Sequence, residues 1–206
     1  MILIGQYDSP FVRRVAIALR IYDLPFEHRA LSVFENGDAI RAINPLMRVP
    51  TLVLDDGFVL TDSHIILDYL DSLVAVALFP RQEPARRSAL RIATLACGAA
   101  EKAVSLFYER RLHTLVSTVW SERCALQVNT ILTSLEAERR RFDSGWWFGD
   151  TLGHADIAMA CALRFIADAH PGLTDQNDLP CLFTDLARAE SLAIFREIYQ
   201  GFIPPT

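Results

Sequence analysis

The stretch from residue 44 to residue 70 constrains the fold of this chain more than any other part of the sequence. Two short apolar runs, residues 51–54 and 58–61, are separated by an Asp-Asp-Gly turn. An Asp-Gly pair between such runs predicts a β-hairpin, because a tight turn needs positive φ at its central positions. Asp62 and Ser63 follow as good helix N-caps, and apolar residues at helical spacing come after them.

The predicted helix start after the hairpin also has a chemical meaning. A helix N-terminus attracts anions, because its first backbone N–H groups have no partners within the helix. Asp62 adds a negative charge beside it, and Ser63 adds a hydroxyl. A place with both polarities suits a zwitterionic ligand. The alternative is that both residues only cap the helix.

The residues before this stretch predict alternating strands and helices. Residues 1–5 form a short apolar run that ends at glycine, as in a buried strand. Ser9 and Pro10 mark a helix start, with serine as N-cap and proline at the first helical position. Residues 26–31 predict a strand and residues 38–43 a short helix. Strands joined across a helix should be parallel and those of the hairpin antiparallel, which predicts a mixed four-stranded sheet with helices.

The pattern changes at residues 78–84, where two prolines and mixed charge predict a linker. Beyond it the apolar residues recur at helical spacing, over residues 85–118, 122–142, 155–169, 182–189 and 192–200. We therefore predict one α/β domain over residues 1–77 and an all-α domain over residues 85–206.

Composition argues against several functional classes. Hydrophobic residues make up 51% of the 206 residues and charged residues 22%, which is typical of a well-packed chain and not of a disordered one. A net charge of −5 without a basic cluster argues against a nucleic-acid partner. The least polar long window, residues 89–108, contains three charged residues, which argues against a membrane span.

The cysteines predict the redox compartment. Their positions leave no pair at the short spacing of a metal or redox motif: Cys97, Cys124, Cys161 and Cys181. The sequence shows no signal peptide. We therefore expect reduced thiols, no bound metal and a cytoplasmic protein.

In order and spacing, several motifs together resemble the glutathione transferase family, in its bacterial form with a serine-type N-terminal motif. The resemblance covers nearly the whole chain and depends on Ser9-Pro10-Phe11, Asn44-Pro45, Val49-Pro50, Asp62-Ser63, the helix containing Tyr69-Leu70, Gly149-Asp150 and Ala155-Asp156-Ile157. It implies a thioredoxin-like N-terminal domain followed by a helical C-terminal domain. It also implies a homodimeric detoxification enzyme that adds glutathione, as co-substrate, to a small hydrophobic electrophile.

The resemblance gives Ser9 the central role, as the hydrogen-bond donor to the sulfur of glutathione. A free thiol has a pKa of about 8.5, so a site that lowers it by about two units must favour the thiolate by roughly 2.7 kcal/mol. Phe11 is expected to pack near the sulfur or the interdomain cleft, with an ordinary core position as the alternative. The alternative is that Ser9 only caps its helix. Arg13 and Arg14 are predicted to be surface charges.

The resemblance divides the rest of glutathione among residues 48–63. Val49-Pro50 matches the family's cis-proline, which would let the Val49 backbone pair with the cysteinyl backbone. Ser63 would bind the γ-glutamyl carboxylate and Asp62 its ammonium group. The commoner pattern has Glu or Gln before the serine, so Asp62 predicts a closer backbone, a bridging water or weaker binding. Arg48 could reach the glycyl carboxylate.

Three residues of the first long helix are candidates for the electrophile side: Phe107, Tyr108 and Arg111. An aromatic stripe at helical spacing also suits a core or a dimer contact. Asp156, after Gly153, matches a family capping box in which glycine replaces Ser or Thr, and we expect it to be structural.

The motifs leave the reaction open. The thiolate could instead serve a peroxide, a disulfide or an isomerisable double bond. A non-catalytic glutathione-binding or regulatory protein of the same fold is the other alternative, because function depends on the site and not on the fold.

Overall fold

The first half of the chain forms the predicted sheet with its helices. The computed structural model describes residues 1–204. In chain order the first elements are β1 (Ile2–Ile4), α1 (Pro10–Ile21), β2 (Glu27–Arg29), α2 (Gly37–Ile43), β3 (Thr51–Val53), β4 (Val59–Thr61) and α3 (Ser63–Ser72). The four strands lie in the order β2-β1-β3-β4. β1 and β2 are parallel, and the other two pairs are antiparallel, so the predicted mixed sheet is confirmed.

Helix α1 packs on this sheet because its sequence is amphipathic. Its apolar side chains Val12, Val15, Ala16 and Leu19 recur at helical spacing and are fully buried. Ser9 is its N-cap, and Pro10 occupies the first turn. The helix begins where capping chemistry predicts.

The rest of the chain is helical, as predicted. Its elements are α4 (Ala85–Leu112), α5 (Thr118–Arg139), α6 (His154–Ala169), α7 (Pro180–Ser191) and α8 (Ala193–Glu197). Helix α6 is buried along most of its length and packs against α4 and α7. Helix α5 begins earlier than predicted, because the Ser117 hydroxyl caps it by accepting from Trp120 N at 3.3 Å. Within residues 1–204, no helix is both long and apolar enough to cross a membrane.

Two compact units make up the structure. Among the described residues, the first combines Met1–Leu78 with residues 192–204, and the second is Phe79–Ser191. The predicted helical domain ran to residue 206, so the last segment groups differently from that prediction. The reason is that its apolar residues Phe195 and Ile198 are buried within the first unit.

Two arginines of α1 contradict the prediction of surface charges. Arg13 is 3% exposed and Arg14 is fully buried. Arg13 donates to the backbone carbonyls of Phe195 and Ile198, and Arg14 donates to the Ser63 hydroxyl. These partners are distant in sequence, which is why helical spacing alone did not reveal them.

Candidate functional site

The register of the sheet places the predicted site residues at the same end of its strands. Ile4 pairs with Thr51, and Thr51 pairs with Thr61, so these three residues form one row across the sheet. Pro50 precedes this row and Asp62 follows it, while the loop to α1 starts just after Ile4. The segments that carry the predicted glutathione-binding residues therefore leave the sheet at the same end of the strands.

Gly5 allows two of these segments to approach closely. Its φ is +128°, and a Cβ at this position would lie 2.5 Å from Val12 Cγ2 and 2.8 Å from Val49 Cβ. No real side chain fits such distances, so glycine lets the loop before Ser9 run against Val49. From the sequence, Gly5 was predicted only to end the first strand.

Ser9 combines a capping role with a free donor. Its side-chain oxygen accepts from Val12 N at 3.4 Å, and its own backbone N–H donates to Gln6 O at 3.2 Å. A serine hydroxyl has one proton to donate besides the lone pairs that accept. Because capping uses a lone pair, the two roles predicted for Ser9 are compatible. Phe11, in the first turn of α1, is half-buried.

The loop before β3 carries the predicted cis-proline. The peptide bond between Val49 and Pro50 is cis, as the resemblance implied. Pro50 is buried, Val49 half-buried and Arg48 exposed.

The Asn44 side chain holds this loop in place, a role that was not predicted from the sequence. The side chain is fully buried, and its Nδ2 donates to Arg48 O and to Thr51 Oγ1, both at 2.9 Å. Its Oδ1 accepts from Leu46 N at 3.0 Å. The available signal was the Asn44-Pro45 pair, which we used only to end the helix predicted over residues 38–43 and as a motif of the family resemblance.

The start of α3 carries the two residues predicted to bind the γ-glutamyl end of glutathione, Asp62 and Ser63. Asp62 is exposed and accepts from His64 N at 2.8 Å as the N-cap, with φ +70° and ψ 126°. A residue other than glycine with such a φ is uncommon and costs free energy, and such residues cluster at functional sites. Ser63 is 4% exposed, and its hydroxyl accepts from Arg14 Nη1 at 3.3 Å. A buried guanidinium therefore lies behind this helix N-terminus.

The residue before Ser9 is an acid in partial burial. Burial raises the pKa of Asp8, while hydrogen bonds from the backbone N–H groups of Ile203 and Ser9 act in the opposite direction. The contact from Ile203 N to Asp8 Oδ2 measures 3.1 Å. The loop that leads to Ser9 thus has partners far along the chain.

The electrophile-side candidates belong to the second unit. Phe107 and Tyr108 on α4 are half-buried, with ring centroids 6.3 Å apart, and Phe107 lies 6.2 Å from the His170 ring. Arg111 is exposed near the end of α4. Their assignment to the electrophile side stays a prediction.

The start of α6 has its own carboxylate. Asp156 accepts from Trp147 N and from Gly153 N, both at 2.9 Å. It is 4% exposed, and burial raises the pKa of Asp156 to about 6. Glycine cannot supply the side-chain half of a capping box, so the half from Asp156 remains.

Two family models match this chain. "Glutathione S-transferase, N-terminal domain" matches residues 3–78, and "Glutathione S-transferase, C-terminal domain" matches residues 118–188. The chain belongs to the glutathione S-transferase family. The serine-type role of Ser9 is a separate matter, which these matches do not test.

Similar proteins span nearly the whole of this transferase-family chain. The "Uncharacterized GST-like protein YibF" of Escherichia coli is 29% identical over 197 residues, which cover 94% of this chain and 96% of that protein. A solved glutathione transferase family member from Pseudomonas fluorescens, with bound glutathione, is 29% identical with a TM-score of 0.83; the match covers 100% of this chain and 99% of that one. A Methylobacterium radiotolerans glutathione S-transferase in complex with glutathione sulfonate is 27% identical with a TM-score of 0.88, covering 100% and 98%.

Proposed function

We propose that this chain is a glutathione transferase that activates the thiol of glutathione for attack on a small hydrophobic electrophile. The observation that carries the proposal is the Ser9 hydroxyl, which accepts from Val12 N and leaves its own proton for a ligand. The solved Pseudomonas fluorescens and Methylobacterium radiotolerans relatives, with bound glutathione and glutathione sulfonate, support the choice of ligand.

In this proposal Ser9 stabilises sulfur and is neither nucleophile nor base. Two groups favour the thiolate, namely the Ser9 hydroxyl and the N-terminus of α1. Each supplies part of the roughly 2.7 kcal/mol that a shift of two pKa units requires. Phe11, two residues further in the first turn of α1, lies against the apolar part of the bound thiol.

The N-terminus of α3 takes the γ-glutamyl end of glutathione. The ligand's carboxylate accepts from the Ser63 hydroxyl and backbone N–H, and its ammonium group faces the Asp62 carboxylate. This assignment is supported by the exposed Asp62 carboxylate and by the buried positive charge of Arg14 behind Ser63. A carboxylate ligand gains from both the helix end and that charge.

The loop before β3 takes the rest of glutathione. The backbone of Val49, next to Pro50, pairs with the cysteinyl backbone as a strand would, and the exposed Arg48 guanidinium approaches the glycyl carboxylate. Asn44 supports this role because it holds the backbone of the same loop in place through Arg48 O.

The electrophile and the assembly complete the proposal. Phe107, Tyr108 and Arg111 contact the second substrate, which is small and hydrophobic. The protein is a cytoplasmic homodimer. Exposed apolar side chains support association: Phe58 and Ile65 in the first unit, and Leu115, Val119 and Leu126 in the second. Light scattering after size-exclusion chromatography gives the mass in solution, and a 23.1 kDa particle would contradict the dimer.

The deciding experiment measures the pKa of bound glutathione by thiolate absorbance in wild type, Ser9→Ala and Ser117→Ala. We expect a wild-type pKa near 6.5 and a rise of about one unit in Ser9→Ala, because a charge-assisted hydrogen bond to sulfur is lost. Ser117 is the matched control, since it caps α5 by the same contact, at 3.3 Å to Trp120 N.

Each outcome decides one part of the proposal. An ordinary thiol pKa in the wild type contradicts the transferase function. An equal pKa in wild type and Ser9→Ala removes Ser9 from its role. A lowered pKa without turnover of an activated aryl halide favours a non-catalytic glutathione-binding protein.

A glutathione-dependent isomerase is the second candidate. The "Probable maleylacetoacetate isomerase" of Caenorhabditis elegans is 27% identical over 177 residues, which cover 82% of each chain. An isomerase would convert a cis double bond conjugated to a carbonyl without consuming glutathione. Assaying glutathione consumption and double-bond geometry in one reaction separates the two candidates.

A further inference from the structure

The chain from Leu192 onwards belongs to the first unit and packs against the helix that carries Ser9. Within this segment, α8 buries Phe195 completely and Ile198 to 2% exposure. Its hydrogen bonds to Tyr7, Asp8 and Arg13 lie on both sides of Ser9 in the sequence. This segment was predicted as an ordinary helix of the C-terminal domain.

The two residues before Ser9 are held by this segment. Tyr7 N donates to Gln200 Oε1 at 3.1 Å, and Ile203 N donates to Asp8 Oδ2 at 3.1 Å. On its other side, the Tyr7 ring stacks on His28, with ring centroids 3.8 Å apart and planes 4° apart. The loop before Ser9 is thus fixed from two directions.

The first turn after Ser9 is held as well. Arg13 N donates to Ser9 O at 2.9 Å, while its guanidinium donates to Ile198 O at 2.8 Å and to Phe195 O at 2.9 Å. The guanidinium also lies over the rings of Phe195 and Tyr199, at 5.4 Å and 5.7 Å. Carbonyls at a helix C-terminus and aromatic faces both favour a cation, which explains how Arg13 is buried.

We propose that Gln200 and Arg13 are positioning residues, through which the C-terminal segment aims the Ser9 hydroxyl at the glutathione sulfur. A hydrogen bond weakens steeply when its angle closes, and a small misplacement of a functional group costs a large factor in activity. The inference depends on the role proposed for Ser9. It adds that thiol activation requires residues from the far end of the chain.

The test compares Gln200→Ala with Glu197→Gln in the full chain. Glu197 lies in the same segment and its charge reaches Tyr7, but its carboxylate pairs with Arg20 at 3.0 Å on the exposed surface, so its substitution leaves the Gln200 contact to Tyr7 N in place. Three quantities are measured: the pKa of bound glutathione, the Kd of S-methylglutathione, and amide exchange of Tyr7 without ligand. S-Methylglutathione has no thiol, so it reports on binding of the rest of the ligand.

We expect Gln200→Ala to raise the pKa of bound glutathione by about half a unit, which is a threefold loss in the thiolate-to-thiol ratio. Tyr7 exchange should accelerate about tenfold, as for the loss of a hydrogen bond worth about 1.4 kcal/mol. The Kd of S-methylglutathione should change less than twofold. Glu197→Gln should leave all three quantities at wild-type values.

Two results overturn the inference while the proposed function stands. One is faster Tyr7 exchange with an unchanged thiol pKa, which means that the contact exists but does not serve Ser9. The other is an equal loss of affinity for S-methylglutathione, which means a general structural role. A wild-type pKa near 8.5 overturns the proposed function itself. A chain shortened after Phe202, which removes the Ile203 contact to Asp8, should shift the pKa in the same direction by less.

Discussion

The starts of α3 and α6 differ in the position and exposure of their acidic residues. At α6, Asp156 lies in the first turn, is buried, and accepts from two backbone N–H groups of its own chain. The first turn of α3 contains no acidic residue. Its cap, Asp62, is exposed and accepts from His64 N. One helix start has a buried carboxylate in its first turn, and the other has only the exposed carboxylate of its cap.

Under the proposed function, the cap of α6 serves stability and the cap of α3 serves ligand binding. Both helices begin with residues that a sequence identifies as caps. At α6 the positive end of the helix is already matched by Asp156. At α3 no acidic residue of the first turn matches the positive end of the helix, and the Arg14 guanidinium donates to the Ser63 hydroxyl there. Substitutions at α6 should therefore change stability, and those at α3 should change binding.

The largest effect is expected at α6. Asp156→Ala should lower the free energy of unfolding by about 3 kcal/mol, because two backbone N–H groups lose their buried partner. Urea unfolding at pH 7 measures this, with Asp150→Ala in the exposed part of the same loop as control. Glutathione affinity of the folded variant should stay within twofold of wild type. A binding defect larger than the stability loss explains would contradict the comparison.

The next effect is expected at α3. Ser63→Ala should weaken glutathione about tenfold, because a charge-assisted hydrogen bond of roughly 1.4 kcal/mol is lost. An analogue without the γ-glutamyl carboxylate should bind wild type and variant equally. Calorimetric titration of both ligands checks this, with Ser72→Ala on the same helix as control, since Ser72 Oγ donates only to Tyr69 O. Equal losses for both ligands would place Ser63 outside carboxylate binding.

A pH effect of about 1 kcal/mol distinguishes the two helix starts further. Burial raises the pKa of Asp156 from an ordinary 3.8 to about 6. Between these values the folded chain binds more protons than the unfolded chain, so this contribution to stability is present at low pH and is lost as pH rises through 6. From pH 5 to pH 7, wild type should lose about 1 kcal/mol relative to Asp156→Asn. Parallel pH profiles for the two proteins would disprove the shift.

The smallest effect is expected from Asp62→Glu. Glutamate is a poor N-cap, so the variant should lose the contact to His64 N at 2.8 Å. We expect glutathione to bind about threefold more weakly, or roughly 0.7 kcal/mol. This result means that the site is built around the shorter aspartate. Tighter binding would instead mean that Asp62 is a handicap relative to the family's longer side chain.

The helix starts could be predicted because capping is local. Ser9 bonds to Val12 N, and Asp62 bonds to His64 N, so each interaction lies within a few residues of sequence. The hairpin was predictable for the same reason, from an Asp-Gly turn between apolar runs. The cis bond before Pro50 followed from the resemblance to a family and not from local chemistry.

The residues that position these caps could not be predicted, because their partners are far apart in sequence. Arg13 was predicted at the surface, yet carbonyls of Phe195 and Ile198 bury it. Asn44 was used only as part of an Asn-Pro motif, yet its amide donates to the backbone carbonyl of Arg48. Burial of a polar group is decided by whichever segment covers it, and periodicity in one helix contains no information about that segment.

The sequence by itself determined where α1 and α3 begin, which side chains cap them and that the strands form a mixed sheet, since these depend on neighbouring residues. Only the tertiary structure decided that Ile4, Thr51 and Thr61 share a row, which brings the segments with the predicted binding residues to the same end of the strands. It also decided that Gln200 lies against Tyr7. Such contacts form because distant apolar segments bury one another, and polar groups then take the partners that this packing leaves within reach.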